Sequence, residues 1–240
     1  MACHFVRWNV TEAEPDTHRL SKDVVLAANN TAPKLRKTLL NSQILLAEMM
    51  FYLYGIPTLP EIITLPNGKS SFASSDLPNF TFASAGTTIG VMLSSEGHVG
   101  LELEILHAHR AQADSQQSPL SAVEQMWISM QNDPLESTSQ LYCIRQSALK
   151  LLGQSESSTN TLTLHPASGR LRSSILPDVQ VMSDIDGALT WACAHAPAFS
   201  TLLCWQYIPA QGFIRTQILS PQQQNDSPHF MKLTSLPPAK

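Results

Sequence analysis

The hydrophobic pattern changes period several times along the chain. Residues 3–10, CHFVRWNV, read as a strand, and the chain then stays polar to residue 30. From Pro33 the apolar positions fall three and four apart, at Leu35, Leu39, Ile44, Leu45, Met49 and Leu53, which predicts a helix that Gly55 ends. Residues 56–72 are rich in turn residues, with Asn67-Gly68 a strong turn signal followed at once by Lys69. FTFAS and IGVMLSS read as strands joined by a turn at AGTT, and HVGLELEIL as a third strand. Residues 108–120 read as a polar loop. Residues 119–153 read as two helical pieces, the second with a stripe of Leu141, Ile144, Ala148, Leu151 and Leu152 and a C-cap at Gly153. Strand-like pieces follow in NTLTLHP, SILPDVQVMS, ALTWACAHAP and TLLCWQYIP. The polar, Pro-containing tail from about residue 220 reads as loosely held.

Residues 81–95, TFASAGTTIGVMLSS, compare with residues 190–205, TWACAHAPAFSTLLCW, each a strand, a small-residue turn and an apolar strand. The expected architecture is therefore α+β in two pseudo-symmetric halves, residues 1–115 and 116–240. Each half is a helix packed on a small, mainly antiparallel sheet.

Composition narrows the function classes. Of 240 residues, 14% are charged, and the formal net charge is −4. The basic footprint that phosphate neutralisation along a nucleic acid requires is missing. No apolar run reaches the length of a membrane helix, and MACHFVRWNV lacks the layout of a signal peptide. Cys3, Cys143, Cys193 and Cys204 are scattered without a paired motif. This favours a reducing cytoplasm over a disulfide framework or zinc site, with Cys193 and Cys204 in the core.

The candidate chemistry centres on Glu102 and Glu104. Two carboxylates at i and i+2 on a strand share a face, opposite Val99, Leu101, Leu103 and Ile105. That face is either the solvated side of the strand or a cation site. Lys34, Arg36 and Lys37 cluster in the first turns of the first long helix. They form either a solvated face or a cation cluster awaiting an anion at a helix start. Lys69 and Lys150 are by themselves surface lysines. His98, His107 and His109 read as surface histidines, and Ser84 in FASAG lacks the context of a nucleophile elbow.

Five stretches, in order, resemble the two-lobed 4′-phosphopantetheinyl transferases. RKTLLNSQILLAEMM is similar to the first-lobe helix of that family, and NGKSSF to its Gly-Lys-Pro-x-Phe turn. FTFASAG stands where the family has Phe-Asn-x-Ser-His-Ser-Gly, VGLELE where it has Val-Gly-x-Asp-x-Glu, and YCIRQSALKLLG where it has Trp-x-x-Lys-Glu-x-x-x-Lys-x-x-Gly. The resemblance covers most of residues 34–153. It implies a monomeric enzyme that moves phosphopantetheine from coenzyme A to a serine of an acyl or peptidyl carrier protein. Mg²⁺ would be held by Glu102 and Glu104, with Glu104, Gln146 and Lys150 as catalytic positions and Arg36, Lys37, Lys69 and Ser84 as coenzyme contacts. The family's Ser-His-Ser is Ala83-Ser84-Ala85 here, its Asp is Glu102, and its Lys-Glu pair is Arg145-Gln146. An amide carries neither the charge nor the basicity of a carboxylate. Three outcomes stay open: an active transferase, a relative that binds coenzyme A or a carrier protein without transfer, and a structural subunit that keeps only the fold.

Overall fold

The structure, a computed structural model, describes residues 2–10, 16–106, 120–153, 162–222 and 225–235. The 108–120 loop, with His107 and His109, lies outside them apart from Leu120. The fold is α+β. In chain order the elements are β1 (Ala2–Asn9), α1 (Lys22–Asn29), α2 (Pro33–Tyr54), β2 (Ile62–Thr64), β3 (Ser70–Phe72), β4 (Asn79–Ala85), β5 (Thr88–Ser94) and β6 (His98–Ile105). They continue with α3 (Ala122–Ser129), α4 (Pro134–Leu152), β7 (Leu162–His165), β8 (Arg170–Ser173), β9 (Gln180–Asp186), β10 (Leu189–Ala196), β11 (Thr201–Ile208), β12 (Gly212–Leu219) and β13 (Met231–Thr234).

Local chemistry accounts for the long helices. Pro33 and Pro134 occupy first-turn positions, where the missing N–H costs nothing. Asp133 caps α4 by accepting from the amides of Leu135 and Glu136. Gly55 and Gly153 close both helices in the left-handed conformation. The polar reading of residues 11–30 missed α1. Its Ser21 side chain accepts from the Val24 amide, and Val24, Val25 and Ala28 pack on the core beside α2.

Two sheets stack between the two long helices. The first has the order β12-β11-β1-β5-β4, the second β6-β10-β9-β13-β8-β7, and β2-β3 form a separate hairpin. One apolar cluster joins α2 to the outer face of the first sheet, through Leu45, Met49 and Met50 against Val6, Val91 and Leu93. A second joins α4 to the outer face of the second sheet, through Leu141, Ile144 and Ala148 against Val181, Ala192 and Ala194. A third fills the space between the sheets, where Phe5, Met92 and Leu202 meet Leu101, Trp191 and Cys193. Strands buried on both faces explain the unbroken apolar runs in β5 and β10. All four cysteines are free and buried.

Each sheet borrows from the other half of the sequence. β6 pairs with β10 in the second sheet, and β11 pairs in parallel with β1 in the first. Residues 81–95 form the β4–β5 hairpin, but residues 190–205 span β10 and β11, which lie in different sheets. The second sheet has a matching two-residue hairpin in β9–β10 instead, turning at Gly187-Ala188 as β4–β5 turns at Gly86-Thr87. Both glycines have positive φ, 61° and 57°, as a two-residue hairpin turn demands. The tail is not loose throughout. β13 inserts between β9 and β8, with Leu233 buried, because the gap there leaves two strand edges to be satisfied.

Candidate active site

The site is assembled where α4 lies across β6. The even positions of β6 face the helix, and the approach is close. A Cβ on Gly100 would stand 2.0 Å from the Ser147 carbonyl oxygen and 2.8 Å from Leu151 Cβ. Glycine at this position is what lets the helix backbone reach the strand. Two residues on, Glu102 Oε2 takes Lys150 Nζ at 2.9 Å. Glu102 and Glu104 are half-buried, so they are not the solvated face of an edge strand. Cys143 is buried behind them and gives its thiol to the Thr190 carbonyl, and Ser139 donates to the Thr190 hydroxyl. Burial first, then the two glutamates, push the Cys143 thiol well up, so it stays protonated.

Gln146 is buried one turn before Lys150. Its neighbour Arg145 points elsewhere. It forms a buried ion pair with Glu124 of α3 and donates to the Leu162 carbonyl at 3.3 Å. Adjacent helix residues lie about 100° apart, so the two halves of the Arg145-Gln146 pair serve different surfaces.

A cleft of about 460 Å³ opens in front of the Glu102–Lys150 pair. Ser84 and Phe82 of β4 form one side. Leu35, Thr38, Leu39 and Ser42 of α2 form another. Leu35 and Leu39, two of the apolar positions whose spacing predicts this helix, are exposed in this cleft; Ile44, Leu45 and Met49 carry the core packing. Thr38 and Ser42 escaped sequence reading, although their spacing with Leu35 and Leu39 was a signal for one helix face.

The structure thus gathers Ser84, Glu102 and Lys150 around one cleft; Glu104 follows Glu102 by two residues on β6 and Gln146 precedes Lys150 by one turn of α4, and neither is in the cleft lining. It does not bring Arg36 and Lys37 there. Both are exposed on α2 and absent from the cleft lining, because their helix phase differs from that of Leu35, Thr38, Leu39 and Ser42. Lys69 lines a neighbouring space of about 250 Å³ with Asn67, Asn79 and exposed His98. Its Nζ donates to the Val99 carbonyl at 3.2 Å, and burial lowers its pKa.

Burial, and then the Glu102 carboxylate, hold the Glu104 carboxyl above its ordinary 4.5. Between that value and the raised one the folded protein binds more protons than the unfolded chain. Stability therefore falls as pH rises through this window, and the penalty is complete above it. Glu104→Gln is expected to raise stability at pH 7 by a fraction of a kcal/mol, the group being half-exposed, and to change little at pH 4. Urea unfolding at the two pH values checks this; equal changes at both would contradict it.

Two carboxylates at alternate positions of one strand are hard oxygen donors of the type that Mg²⁺ takes. Glu102 and Glu104 repel one another, and Lys150 contacts one Glu102 oxygen. No cluster of three His, Cys, Asp or Glu side chains occurs among the described residues. Remaining ligands would have to be the Gln146 amide oxygen, water and ligand oxygens, a mixture that Mg²⁺ accepts. No described helix is long and apolar enough to cross a membrane.

No protein-family model matches the chain. It is 36% identical over 245 residues to the uncharacterized protein YieE of Escherichia coli, an alignment covering 100% of this chain and 98% of that protein. YieE of the O6:H1 strain of Escherichia coli aligns with the same identity and coverage. With that identity along the length of both chains, this protein belongs to the family of YieE.

Proposed function

We propose that this protein is a 4′-phosphopantetheinyl transferase built from two pseudo-symmetric halves, taking coenzyme A and an acyl or peptidyl carrier protein as substrates. The observation that carries the reading is the Glu102–Lys150 pair, with Glu104 two residues on, at the cleft that Ser84 and the start of α2 complete. That is the set of positions at which the sequence resembles the family.

In this reading Glu102 and Glu104 hold Mg²⁺, which when bound neutralises charge on the pyrophosphate of coenzyme A. Lys150 presents its ammonium to the same phosphates. Ser84 offers a hydroxyl, and the Gln146 amide orients a neighbouring oxygen but takes no proton. The apolar side chains Leu35, Leu39 and Phe82 provide a surface for the pantetheine arm. The carrier serine oxygen bonds to the β-phosphorus as the bond between that phosphorus and the oxygen of 3′,5′-ADP breaks; the serine proton passes to solvent water, and 3′,5′-ADP departs with the bond's electron pair.

The test is intact mass of apo carrier proteins after incubation with this protein, coenzyme A and Mg²⁺. The expected result is a phosphopantetheine mass gain whose rate falls by about 100-fold or more in Glu104→Ala. The same gain with Glu104→Ala would remove the carboxylates from the chemistry. Gln146 favours a second reading, a relative that binds coenzyme A or a carrier protein without transfer. In that case calorimetry shows coenzyme A binding, weakened in Lys150→Ala, and no carrier gains mass. Neither transfer nor binding would sink both readings and leave a structural role.

A further inference from the structure

The space of about 250 Å³ beside Lys69 lies where the β2–β3 turn, the start of β6 and the end of α4 meet. Leu65, Leu151, Leu152 and Leu176 give it an apolar wall. Lys69 and His98 are the titratable side chains among the described residues that line it, and no Asp or Glu is among them. Asn79 closes one side, its amide nitrogen tied to the Gly97 carbonyl at 2.8 Å.

The turn holds Lys69 in place. Asn67 Oδ1 accepts the Lys69 amide at 3.1 Å, and the Leu65 amide donates to the Lys69 carbonyl at 2.8 Å. Lys69 Nζ gives one of its three N–H groups to the Val99 carbonyl, a neutral acceptor. No ion pair among the described residues includes Lys69. A lysine without a carboxylate partner normally stands fully in water, yet this one is half-buried. Its pKa falls because nothing of opposite charge replaces the lost hydration. Burial first, then Lys69, then His195 lower the His98 pKa, so that ring is mostly neutral at pH 7. Lys69 therefore supplies the single positive charge of the cavity.

We propose that this cavity is a binding site for a small organic monocarboxylate, its carboxylate on Lys69 and its apolar body against the leucine wall, separate from the Glu102–Lys150 cleft. The charge matches: one carboxylate pairs with one ammonium. A phosphate dianion would leave a negative charge unpaired in a half-closed space, and a neutral ligand would leave the ammonium unpaired. The leucines favour a ligand with a hydrocarbon part over a bare ion. The volume lies below the roughly 300 Å³ at which sites for drug-sized ligands begin, so the ligand is small. The two spaces share no lining residue. His98 and Glu102 stand four residues apart on β6, about 13 Å along the strand. Between them lies Gly100, where Leu151 of α4 presses on β6. An anion held by Lys69 is therefore not the one handled at Lys150, and the inference does not depend on transfer chemistry at the cleft.

The test is amide NMR of the isotope-labelled full chain titrated with sodium hexanoate at constant ionic strength. Chloride, inorganic phosphate and hexan-1-ol, which has the chain without the charge, are the comparisons. The expected result is saturable shifts at residues 65–71 and 97–99 that chloride does not produce. Affinity should weaken by about tenfold or more in Lys69→Met, which removes the charge and keeps an unbranched stem, the loss of a charge-assisted hydrogen bond. Hexan-1-ol should bind more weakly than hexanoate by a similar factor. The variant's other resonances report that the fold is kept. Shifts that do not saturate, that chloride reproduces, or that Lys69→Met leaves unchanged overturn the proposal. Equal binding of hexan-1-ol or of phosphate overturns the ligand class. Displacement of hexanoate by coenzyme A would make the cavity part of the coenzyme site and overturn its separateness.

Discussion

Arg145→Met is expected to lower the stability of the protein by about 3–5 kcal/mol, the usual cost of breaking a buried ion pair from one side. Glu124 is fully buried and Arg145 is 5% exposed. Glu124 Oε2 also accepts the Ser121 amide at 2.6 Å, closing the capping box that starts α3. Removing the guanidinium leaves the carboxylate with only that neutral donor in a site closed to water. Adding Glu124→Gln to the first variant keeps an acceptor for the capping box and removes the stranded charge. The double variant should therefore regain most of the loss. Urea unfolding of the wild type, both single variants and the double variant measures the coupling. A single-variant loss below about 1 kcal/mol would mean that the pair behaves as a surface bridge.

Gly100→Ala is expected to cost about 3 kcal/mol, the upper end of the usual range for overpacking. The added carbon would meet a backbone carbonyl of α4 at 2.0 Å, and a backbone atom of a long packed helix cannot rotate away. The helix must shift, and the shift separates Lys150 from Glu102, since one rides on α4 and the other on β6. Gly90→Ala provides the comparison. Its added carbon would meet only the side-chain ends of Leu103 and Leu101, at 2.9 and 3.1 Å, which can move. Denaturation of the two variants side by side decides the point: a cost at Gly100 no greater than at Gly90 would show that α4 does not press on β6 as described. Any activity of the cleft should fall further in Gly100→Ala than in Gly90→Ala.

Much of the candidate site can be read from residues 98–105 and 134–153. Glu102 and Glu104 share a strand face by simple alternation, and Lys150 follows Gln146 by one helical turn. Other parts could not be read. Arg145 stands where the resemblance leads one to look for a site residue, yet it turns to α3, because a partner 21 positions back in the chain was waiting there buried. Arg36 and Lys37 are at the right end of α2 but on the wrong side of it. The polar segment before α2 hides a helix whose cap and few apolar residues are weak local signals.

Local sequence determined α2, α3, α4 and most strands, and the turns at Gly86, Gly153 and Asn67-Gly68. These depend on side-chain period and backbone allowance within a few residues. Tertiary structure alone decided that β6 joins the second sheet, that β11 and β12 join the first, and that β13 is an inner strand rather than part of a loose tail. It alone decided that Lys150 meets Glu102 and that Arg145 does not face the cleft. Strand partners and helix rotation are set by packing between segments far apart in the chain, and no local pattern carries that information.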